Sequence, residues 1–199
     1  MNNAIANHYD ILIDENNDPV HDSEPLKEYM DKWDGQSFIN RMELNIDKAV
    51  LEIGIGTGRL AVRVAPLCKE FYGIDISPKT IERAKENLKD HKNISFIHDD
   101  FISFEFQETF DVIYSSLTMM HFKNKEQVIF KIDSLLKNKG IFCLSIDKNQ
   151  DEYIDMGTRK IQIYPDTPDN IVSIIQSSSM SVENVFETEN GYIIVSVKK

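Results

Sequence analysis

Hydrophobic positions recur along this chain with two periods, one typical of buried strands and the other of amphipathic helices. Between the strands, apolar residues three or four positions apart predict helices, including one that starts at Arg59 and one that Ser77 and Pro78 begin. Strands that alternate with helices in this way predict an α/β fold with a mostly parallel sheet. Short apolar runs predict the first strands at 49–53, 71–77, 94–98, 110–115 and 141–146.

The C-terminal end departs from this alternation. Apolar runs at 182–186 and 192–197 flank Asn190-Gly191, a dipeptide typical of hairpin turns. The last strand should therefore run antiparallel to its neighbour. The complete prediction is a doubly wound, mostly parallel seven-stranded sheet with a C-terminal antiparallel hairpin.

The segment before the first strand predicts a cap made of helices. Its start, 4–13, is expected to form a short helix that a polar loop follows. A second helix should carry an apolar face formed by Leu26, Met30 and Trp33, which are spaced four and three positions apart.

Two later segments are interpreted from local signals. Gly140 is expected to be the C-cap of a helix that Lys123 or Asn124 begins. Residues 147–165 are polar at first and then alternate as in a short strand, so we interpret them as a lid inserted after the fifth strand.

Length and composition fit one soluble domain. The chain has 199 residues, 41% of them hydrophobic and 28% charged. We expect a single domain over 1–199, with a helical cap at 1–45 and the core at 46–199. Apolar runs are too short to span a membrane and the start lacks the pattern of a signal peptide, so a cytoplasmic location is expected. Cys68 and Cys143 fit small buried hydrophobic residues.

Net charge limits the class of partner. The formal net charge is -11 at pH 7. Proteins that bind nucleic acids neutralise phosphates with clustered Lys and Arg, so an acidic chain of this kind is not expected to bind DNA or RNA.

A glycine-rich turn follows the first strand and predicts a ligand site. Gly54, Gly56 and Gly58 allow a backbone with positive φ that a ligand can approach closely. The helix that follows turns its free N–H groups toward the same crevice. Asp75 ends the second strand about 20 residues later, the spacing at which βαβ units place a carboxylate beside a ribose.

The spacing of the glycines separates two classes of nucleotide-binding protein. Dinucleotide enzymes use G-x-G-x-x-G, whereas this chain has E-x-G-x-G-x-G and places Arg59 where that fingerprint requires a small residue. The motifs 52–58 and 73–77 resemble those of the class I S-adenosylmethionine-dependent methyltransferases. The resemblance extends from about residue 45 to the C-terminus, makes 46–199 the cofactor-binding core and implies the Rossmann-like fold of that family.

The resemblance implies roles for the residues around the cofactor S-adenosylmethionine. Gly54, Gly56 and Gly58 form the turn against the cofactor, Glu52 supports this turn and Asp75 holds the ribose. An acid at the end of the third strand accepts from the adenine amino group. Asp100 matches that position, with Asp99 as the alternative. The backbone of Phe101 also addresses the adenine, and the remaining lining residues are Ile76 and Ser115.

The segment 110–122 corresponds to the part of the family that opens onto the substrate. His121 lies at its end and is the candidate catalytic base, with packing or orientation as the alternative role. Weaker candidates for substrate contact are Tyr9, Tyr153, Arg159 and Tyr164.

The function that follows is methyl transfer from S-adenosylmethionine to an oxygen or nitrogen atom of a small molecule. No metal is expected, because the five histidines lack the i, i+4 spacing of a helical metal site and the chain lacks the clustered acids of catechol-type enzymes. One alternative is a regulatory or partner subunit that binds the cofactor without turnover. A nicotinamide-dependent oxidoreductase is disfavoured by the glycine spacing and the terminal hairpin. The sequence leaves the oligomeric state open.

Overall fold

The centre of the structure is a twisted sheet that is flanked by helices on both faces. A computed structural model describes residues 3–199. The strands are β1 (Ala49–Ile53), β2 (Glu70–Asp75), β3 (Ile94–His98), β4 (Phe110–Ser116), β5 (Leu136–Asp147), β6 (Tyr153–Asp155), β7 (Lys160–Gln162), β8 (Met180–Glu187) and β9 (Gly191–Lys198). The helices are α1 (Asn3–Asp14), α2 (Glu24–Met30), α3 (Gly35–Asn40), α4 (Ala61–Val64), α5 (Pro78–Asn87), α6 (Lys125–Leu135) and α7 (Pro168–Gln176). Short 3₁₀ turns occupy Ala65–Leu67 and Met119–His121.

Seven strands form the main sheet in the order β3-β2-β1-β4-β5-β9-β8. The first five of these are parallel, and β9 pairs antiparallel with both β5 and β8. The predicted α/β fold with a C-terminal antiparallel hairpin is confirmed. Because the chain leaves β1 toward β2 on one side and reaches β4 on the other, the strand order reverses at β1. Ligands of such sheets bind outside the carboxyl ends of the strands at this switch point.

Alternate residues of the strands face two separate hydrophobic layers. One layer contains Val50 and Tyr114 and packs on α3, α4 and α5, whereas the other contains Leu51 and Phe142 and packs on α6 and α7. All four of these side chains are fully buried. Burial on both faces explains why the strands read as nearly continuous apolar runs. Within residues 3–199, no helix combines the length and the apolar character needed to cross a lipid bilayer.

Gly140 serves a different purpose from the one that the sequence predicted, and Gly191 serves a second purpose besides the predicted hairpin. Gly140 is not a C-cap, because α6 ends five residues earlier and Gly140 already lies in β5. A Cβ atom at Gly140 would lie 2.8 Å from the backbone oxygen of Lys137, and one at Gly191 would lie 2.7 Å from that of Ile146. Both glycines are therefore sites of close backbone approach. The hairpin around Gly191 was predicted correctly.

The predicted apolar face of the second helix is wrong. The helix α2 ends at Met30, before Trp33, and none of its residues is buried. Leu26 is 51% exposed. The helix is only seven residues long, and the turn after it leads directly to Asp34, which accepts a hydrogen bond from Gly35 and begins α3.

Replacing Ser77 should destabilise the protein because Ser77 makes the side-chain bond that caps α5. Its Oγ accepts from the backbone N–H of Thr80 at 3.1 Å and donates to Asp10 at 2.6 Å. We expect Ser77→Ala to lower the free energy of unfolding by about 1 to 2 kcal/mol in urea titrations. Ser23 is the matched control, since it precedes α2 without a side-chain capping bond. Equal losses in Ser77→Ala and Ser23→Ala would contradict this prediction.

Candidate functional site

A cavity of about 380 Å³ opens at the carboxyl ends of β1, β2 and β4. The helix α1 covers it through the side chains of Ile5, Tyr9, Leu12 and Ile13. Enclosed pockets of this size are typical of sites for small molecules and cofactors. The sheet side of the lining consists mainly of residues 52–57, 74–76, 99–101, 116–118 and 120–122.

The three glycines of the turn take three different positions relative to this cavity. All have positive φ, namely 77° at Gly54, 56° at Gly56 and 97° at Gly58. A side chain at Gly54 would collide with that of Thr118, and one at Gly58 would lie 2.8 Å from Leu88. No atom lies within 4 Å of a Cβ built at Gly56. Gly54 and Gly56 line the cavity, whereas Gly58 does not.

Asp75 lies opposite the glycine turn and is bonded to it. One carboxylate oxygen accepts from the backbone N–H of Gly56 at 2.9 Å, and the other accepts from that of Ser77 at the same distance. Burial raises the pKa of Asp75, while these backbone hydrogen bonds oppose the shift. The two bonds fix the carboxylate at the cavity wall and leave lone pairs on both oxygens for a ligand.

Glu52 is a buried carboxyl group at the base of the turn. Glu52 is only 3% exposed. Its carboxyl group accepts a hydrogen bond from the hydroxyl of Tyr114 at 2.8 Å. Burial raises the pKa of Glu52 to about 8, although the Tyr114 bond and the charge of Arg59 favour the ionised form. The group is therefore mostly protonated at neutral pH in the ligand-free protein.

A buried ion pair joins the cap to the glycine turn. Arg59 donates one hydrogen bond to Asp34 at 3.1 Å and a second, shorter one to its other oxygen. Asp34 also accepts from Ser116 at 2.7 Å, at the end of β4. Burial opposes ionisation of Asp34, but these contacts outweigh it and hold its pKa below the ordinary value. The sequence analysis missed this pair because no local pattern connects residues that lie far apart in the chain.

The residues predicted to address the adenine directly follow β3. Asp99, Asp100 and Phe101 line the cavity, as does Ile76, which follows β2. Asp99 accepts from the backbone N–H of Asp100 at 2.7 Å, and Asp100 accepts from that of Ile102 at 2.8 Å. Both carboxylates are thus held in place, and the choice between Asp99 and Asp100 stays open.

Ser115 lies behind the cavity wall. It is 1% exposed, donates to the backbone oxygen of Ile53 at 3.0 Å and does not contribute to the lining. Its neighbour Ser116 does line the cavity.

His121 lies at the covered end of the cavity beside α1. Its Nε2 atom is 2.7 Å from the hydroxyl of Tyr9, and its buried Nδ1 atom has no hydrogen-bond partner among residues 3–199. Burial lowers the pKa of His121 to about 4, with a smaller contribution from the charges of His8 and Lys125. The imidazole is therefore neutral at physiological pH, and it is a weaker base than an exposed histidine.

The other candidates for substrate contact take different places. Arg159 binds Glu15 through two bonds of 2.7 Å and His8 through one of 3.1 Å, so it connects the β6–β7 hairpin to the N-terminal segment. Tyr164 donates its backbone N–H to Met120 at 2.8 Å. Neither residue lines the cavity beneath α1. Throughout the described range, no three His, Cys, Asp or Glu residues are arranged to hold a metal ion.

Residues 44–192 match a family model described as a methyltransferase domain. The chain belongs to the class I S-adenosylmethionine-dependent methyltransferases. Its matched region begins just before β1 and ends within β9, so it includes the whole glycine turn and the cavity wall formed by the sheet. The resemblance inferred from the sequence motifs is confirmed, and S-adenosylmethionine is the cofactor of this family.

Individual relatives support the same assignment. The chain is 28% identical over 84% of its length to an uncharacterized methyltransferase of Anoxybacillus flavithermus and covers 81% of that protein. It is 29% identical over 59% of its length to malonyl-[acyl-carrier protein] O-methyltransferase 2 of Ilyobacter polytropus, of which it covers 46%. The chain spans about half the length of several curated relatives that it matches.

Among solved structures, the N-methyltransferase NodS of Bradyrhizobium japonicum in complex with S-adenosylhomocysteine has a similar fold. The TM-score is 0.69 at 17% identity, and the alignment covers 90% of this chain and 94% of NodS. This likeness supports the fold alone.

Alanine at Gly56 should weaken binding of S-adenosylhomocysteine, because its methyl group would enter the open space of the cavity. We expect a loss of about ten-fold or more in calorimetry for Gly56→Ala. Gly58→Ala is the control: both changes place alanine at positive φ, and Gly58→Ala should cost more stability because its Cβ also meets Leu88, but only Gly56 lines the cavity. A larger loss of affinity in Gly58→Ala would contradict this prediction.

Glu52→Gln should make the stability of the ligand-free protein less sensitive to pH. Since the pKa of Glu52 is about 8 against an ordinary 4.5, the folded state keeps a proton between these values that the unfolded state has released. The stabilisation is complete below pH 4.5 and is lost as the pH rises to 8. Glutamine does not titrate, so the free energy of unfolding in urea should fall less steeply over this range. If the free energy of unfolding changed with pH in the same way in both proteins, the raised pKa of Glu52 would be excluded.

Proposed function

We propose that this protein transfers the methyl group of S-adenosylmethionine to an oxygen or nitrogen atom of a small molecule. One observation carries the proposal: the open face of Gly56 and the carboxylate of Asp75 lie side by side in the wall of one cavity, in a member of the methyltransferase family. The cofactor supplies a sulfonium methyl group that a lone pair of the acceptor attacks, which leaves S-adenosylhomocysteine and releases the acceptor's proton. The protein's own task is then to bind, to orient and to exclude water.

The residues around the cavity fit these tasks. Asp75 would accept from the ribose hydroxyls, because its carboxylate is fixed by Gly56 and Ser77 and retains free lone pairs. Asp100, or Asp99 as its alternative, would accept from the adenine amino group. Glu52 would support the turn from below through its buried bond to Tyr114.

The helix α1 would limit the access of water to the cavity. This helix packs on α5 and on β7, and its apolar side chains close the cavity from above. A covered site of this kind protects an electrophilic methyl group from hydrolysis and strengthens the polar contacts inside.

His121 is the proposed base for an acceptor that must lose a proton, such as a hydroxyl group. To accept a proton at its unpartnered Nδ1, the imidazole must donate from Nε2 to Tyr9, and the distance of 2.7 Å fits this arrangement. The lowered pKa keeps the ring neutral and ready to accept, but it reduces the driving force for proton transfer. An amine acceptor would not need this base.

Two relatives support the proposed class of acceptor atom. The Ilyobacter protein is named as an O-methyltransferase and NodS as an N-methyltransferase, which supports transfer to oxygen or nitrogen. A cytoplasmic location and the exclusion of nucleic acid as the acceptor stay predictions from composition and charge.

Replacing Asp75 should weaken the binding of S-adenosylhomocysteine to the purified full chain. Hydrogen bonds to a charged group contribute about 1.5 to 3 kcal/mol each, so calorimetry should show a loss of ten-fold or more for Asp75→Ala. Asp90→Ala is the control, because Asp90 is exposed and lies outside the cavity. Tight binding of NAD without binding of S-adenosylhomocysteine would contradict the proposal.

Turnover is tested separately from binding. The protein is incubated with S-adenosylmethionine that carries a labelled methyl group and with an extract of small metabolites. Transfer of label together with formation of S-adenosylhomocysteine is the expected result. If the protein bound S-adenosylhomocysteine but transferred no label, the alternative of a regulatory or partner subunit without turnover would be favoured.

A further inference from the structure

A second cavity lies beside the first, beneath the β6–β7 hairpin. Its volume is about 390 Å³, similar to that of the cavity under α1. The ends of β4 and β5 form one side, and the segment that follows β5 forms the other. Leu117 and Met120 line both cavities and so form the boundary between them. We propose that this second cavity binds the methyl acceptor and selects acceptors that carry a positively charged group.

The inference rests on the proposed function, because an acceptor must lie next to the cofactor cavity for transfer to occur. The boundary has an unusual backbone: Leu117 has a φ of 54°, and its N–H donates to the backbone oxygen of Ser145 at 3.2 Å. A bulky residue in the left-handed region is strained, and such strain concentrates at functional sites. The strained residue lies where the two cavities meet.

Charge in the lining has one sign. Asp147, Asp151, Asp155 and Asp166 contribute to the wall, and no lysine, arginine or histidine does. The Nζ atom of Lys160 lies 3.9 Å from Asp155, and Lys125 lies 3.0 Å from Asp166.

Two of the four carboxylates have no such neighbour. Among residues 3–199, no basic side chain lies within 4.0 Å of Asp147 or Asp151. Their contacts are local, since Asp147 accepts from the backbone N–H of Asn149 at 2.9 Å and Asp151 from its side chain at 3.1 Å. A cationic ligand would supply the missing positive charge.

The floor of the cavity contains a buried ion pair. Asp166 is 4% exposed, and Nζ of Lys125 lies 3.0 Å from its Oδ1 atom and 3.2 Å from its Oδ2 atom. Lys125 also donates to the backbone oxygens of Met119 at 2.6 Å and Tyr164 at 2.9 Å. Lys125 thus balances the charge of Asp166, and the unbalanced negative charge of the lining comes from Asp147 and Asp151.

Tyr153 adds an aromatic surface that suits the same kind of ligand. It lines the cavity, and the Nζ atom of Lys160 already lies 4.4 Å from the centre of its ring. Aromatic faces attract cations, so the ring and the nearby carboxylates favour one ligand chemistry. The apolar boundary at Leu117 and Met120 would then face the part of the acceptor that carries the reacting atom.

The test measures binding of two sets of small molecules whose members differ in charge. One set is tyramine, 4-hydroxyphenylethanol and 4-hydroxyphenylacetate, and the other is putrescine, 4-amino-1-butanol and 4-aminobutyrate. Calorimetry is performed on the full chain with and without saturating S-adenosylhomocysteine. We expect the most cationic member to bind most tightly in at least one set and to bind less tightly at high salt.

Variants show which carboxylates bind the cationic probe. Asp147→Asn retains an oxygen that can accept from Asn149, so this variant should fold normally. Its affinity for the cationic probe should be lower by about five-fold or more. Asp151→Asn is a second variant at an exposed position and should weaken it as well. Glu152→Gln is the matched control, because Glu152 is an exposed acid on the same segment that does not line the cavity. The affinity of Glu152→Gln for the cationic probe should equal that of the unmodified protein.

Several outcomes would overturn the inference. These are tightest binding of the least cationic member in both sets, no binding of any probe, or unchanged affinity in both Asp147→Asn and Asp151→Asn. Failure of the proposed function has a different signature. If the cationic probes bound and depended on Asp147 but S-adenosylhomocysteine did not bind, the cation site would stand and methyl transfer would be contradicted.

Discussion

The site depends on one carboxylate at the end of β2. Asp75 accepts from Gly56 in the glycine turn and from Ser77 at the start of α5. Ser77 in turn caps α5 and donates to Asp10 of α1. A continuous series of hydrogen bonds thus connects the turn, the second strand, the helix after it and the helix that covers the cavity. Loss of the carboxylate would leave backbone donors of the turn and of α5 without their partners.

The contacts of α1 explain how a covered cavity could still admit a ligand. Beyond Asp10, the helix is held by pairs at the surface, including Lys79 with Asp14 at 2.6 Å and Arg159 with Glu15 at 2.7 Å. Exposed ion pairs contribute little to stability in water and are screened by salt. Separating α1 from the sheet would mainly expose the side chains that line the cavity, including the buried Ile5, and break the bond between Tyr9 and His121.

Most of the fold could be predicted because its signals are local. Strand and helix patterns, the caps at Ser77 and Asn124 and the positive φ of the glycine turn depend on residues within a few positions of one another. Glycine was less predictable where it permits close approach of distant backbone, as at Gly140, since the sequence does not tell which strand will lie alongside. A glycine that follows lysines resembles a C-cap, and only the tertiary structure excludes it here.

The sequence predicted the residues of the candidate site that belong to motifs, but not the contacts between residues far apart in the chain. Gly56 and Asp75 were found because a βαβ unit fixes their separation. The contact of Arg59 with Asp34 and that of Tyr9 with His121 join the cap to the sheet, and such distances are set by packing of whole elements. The environment of His121 was unpredictable for the same reason, since its lowered pKa results from burial that α1 helps to create.

The boundary between the two cavities determines how an acceptor and a cofactor could meet. Lys125 and Tyr164 bond to the backbone of Met119 and Met120, while the N–H of Leu117 is held by Ser145 of β5. A left-handed leucine costs of the order of 1 kcal/mol, and it persists only where the surrounding bonds fix it. The boundary is therefore held in one conformation. Methyl transfer requires the acceptor atom to touch the methyl group in strict alignment, so a fixed edge shared by the two cavities would orient both ligands without further catalytic side chains.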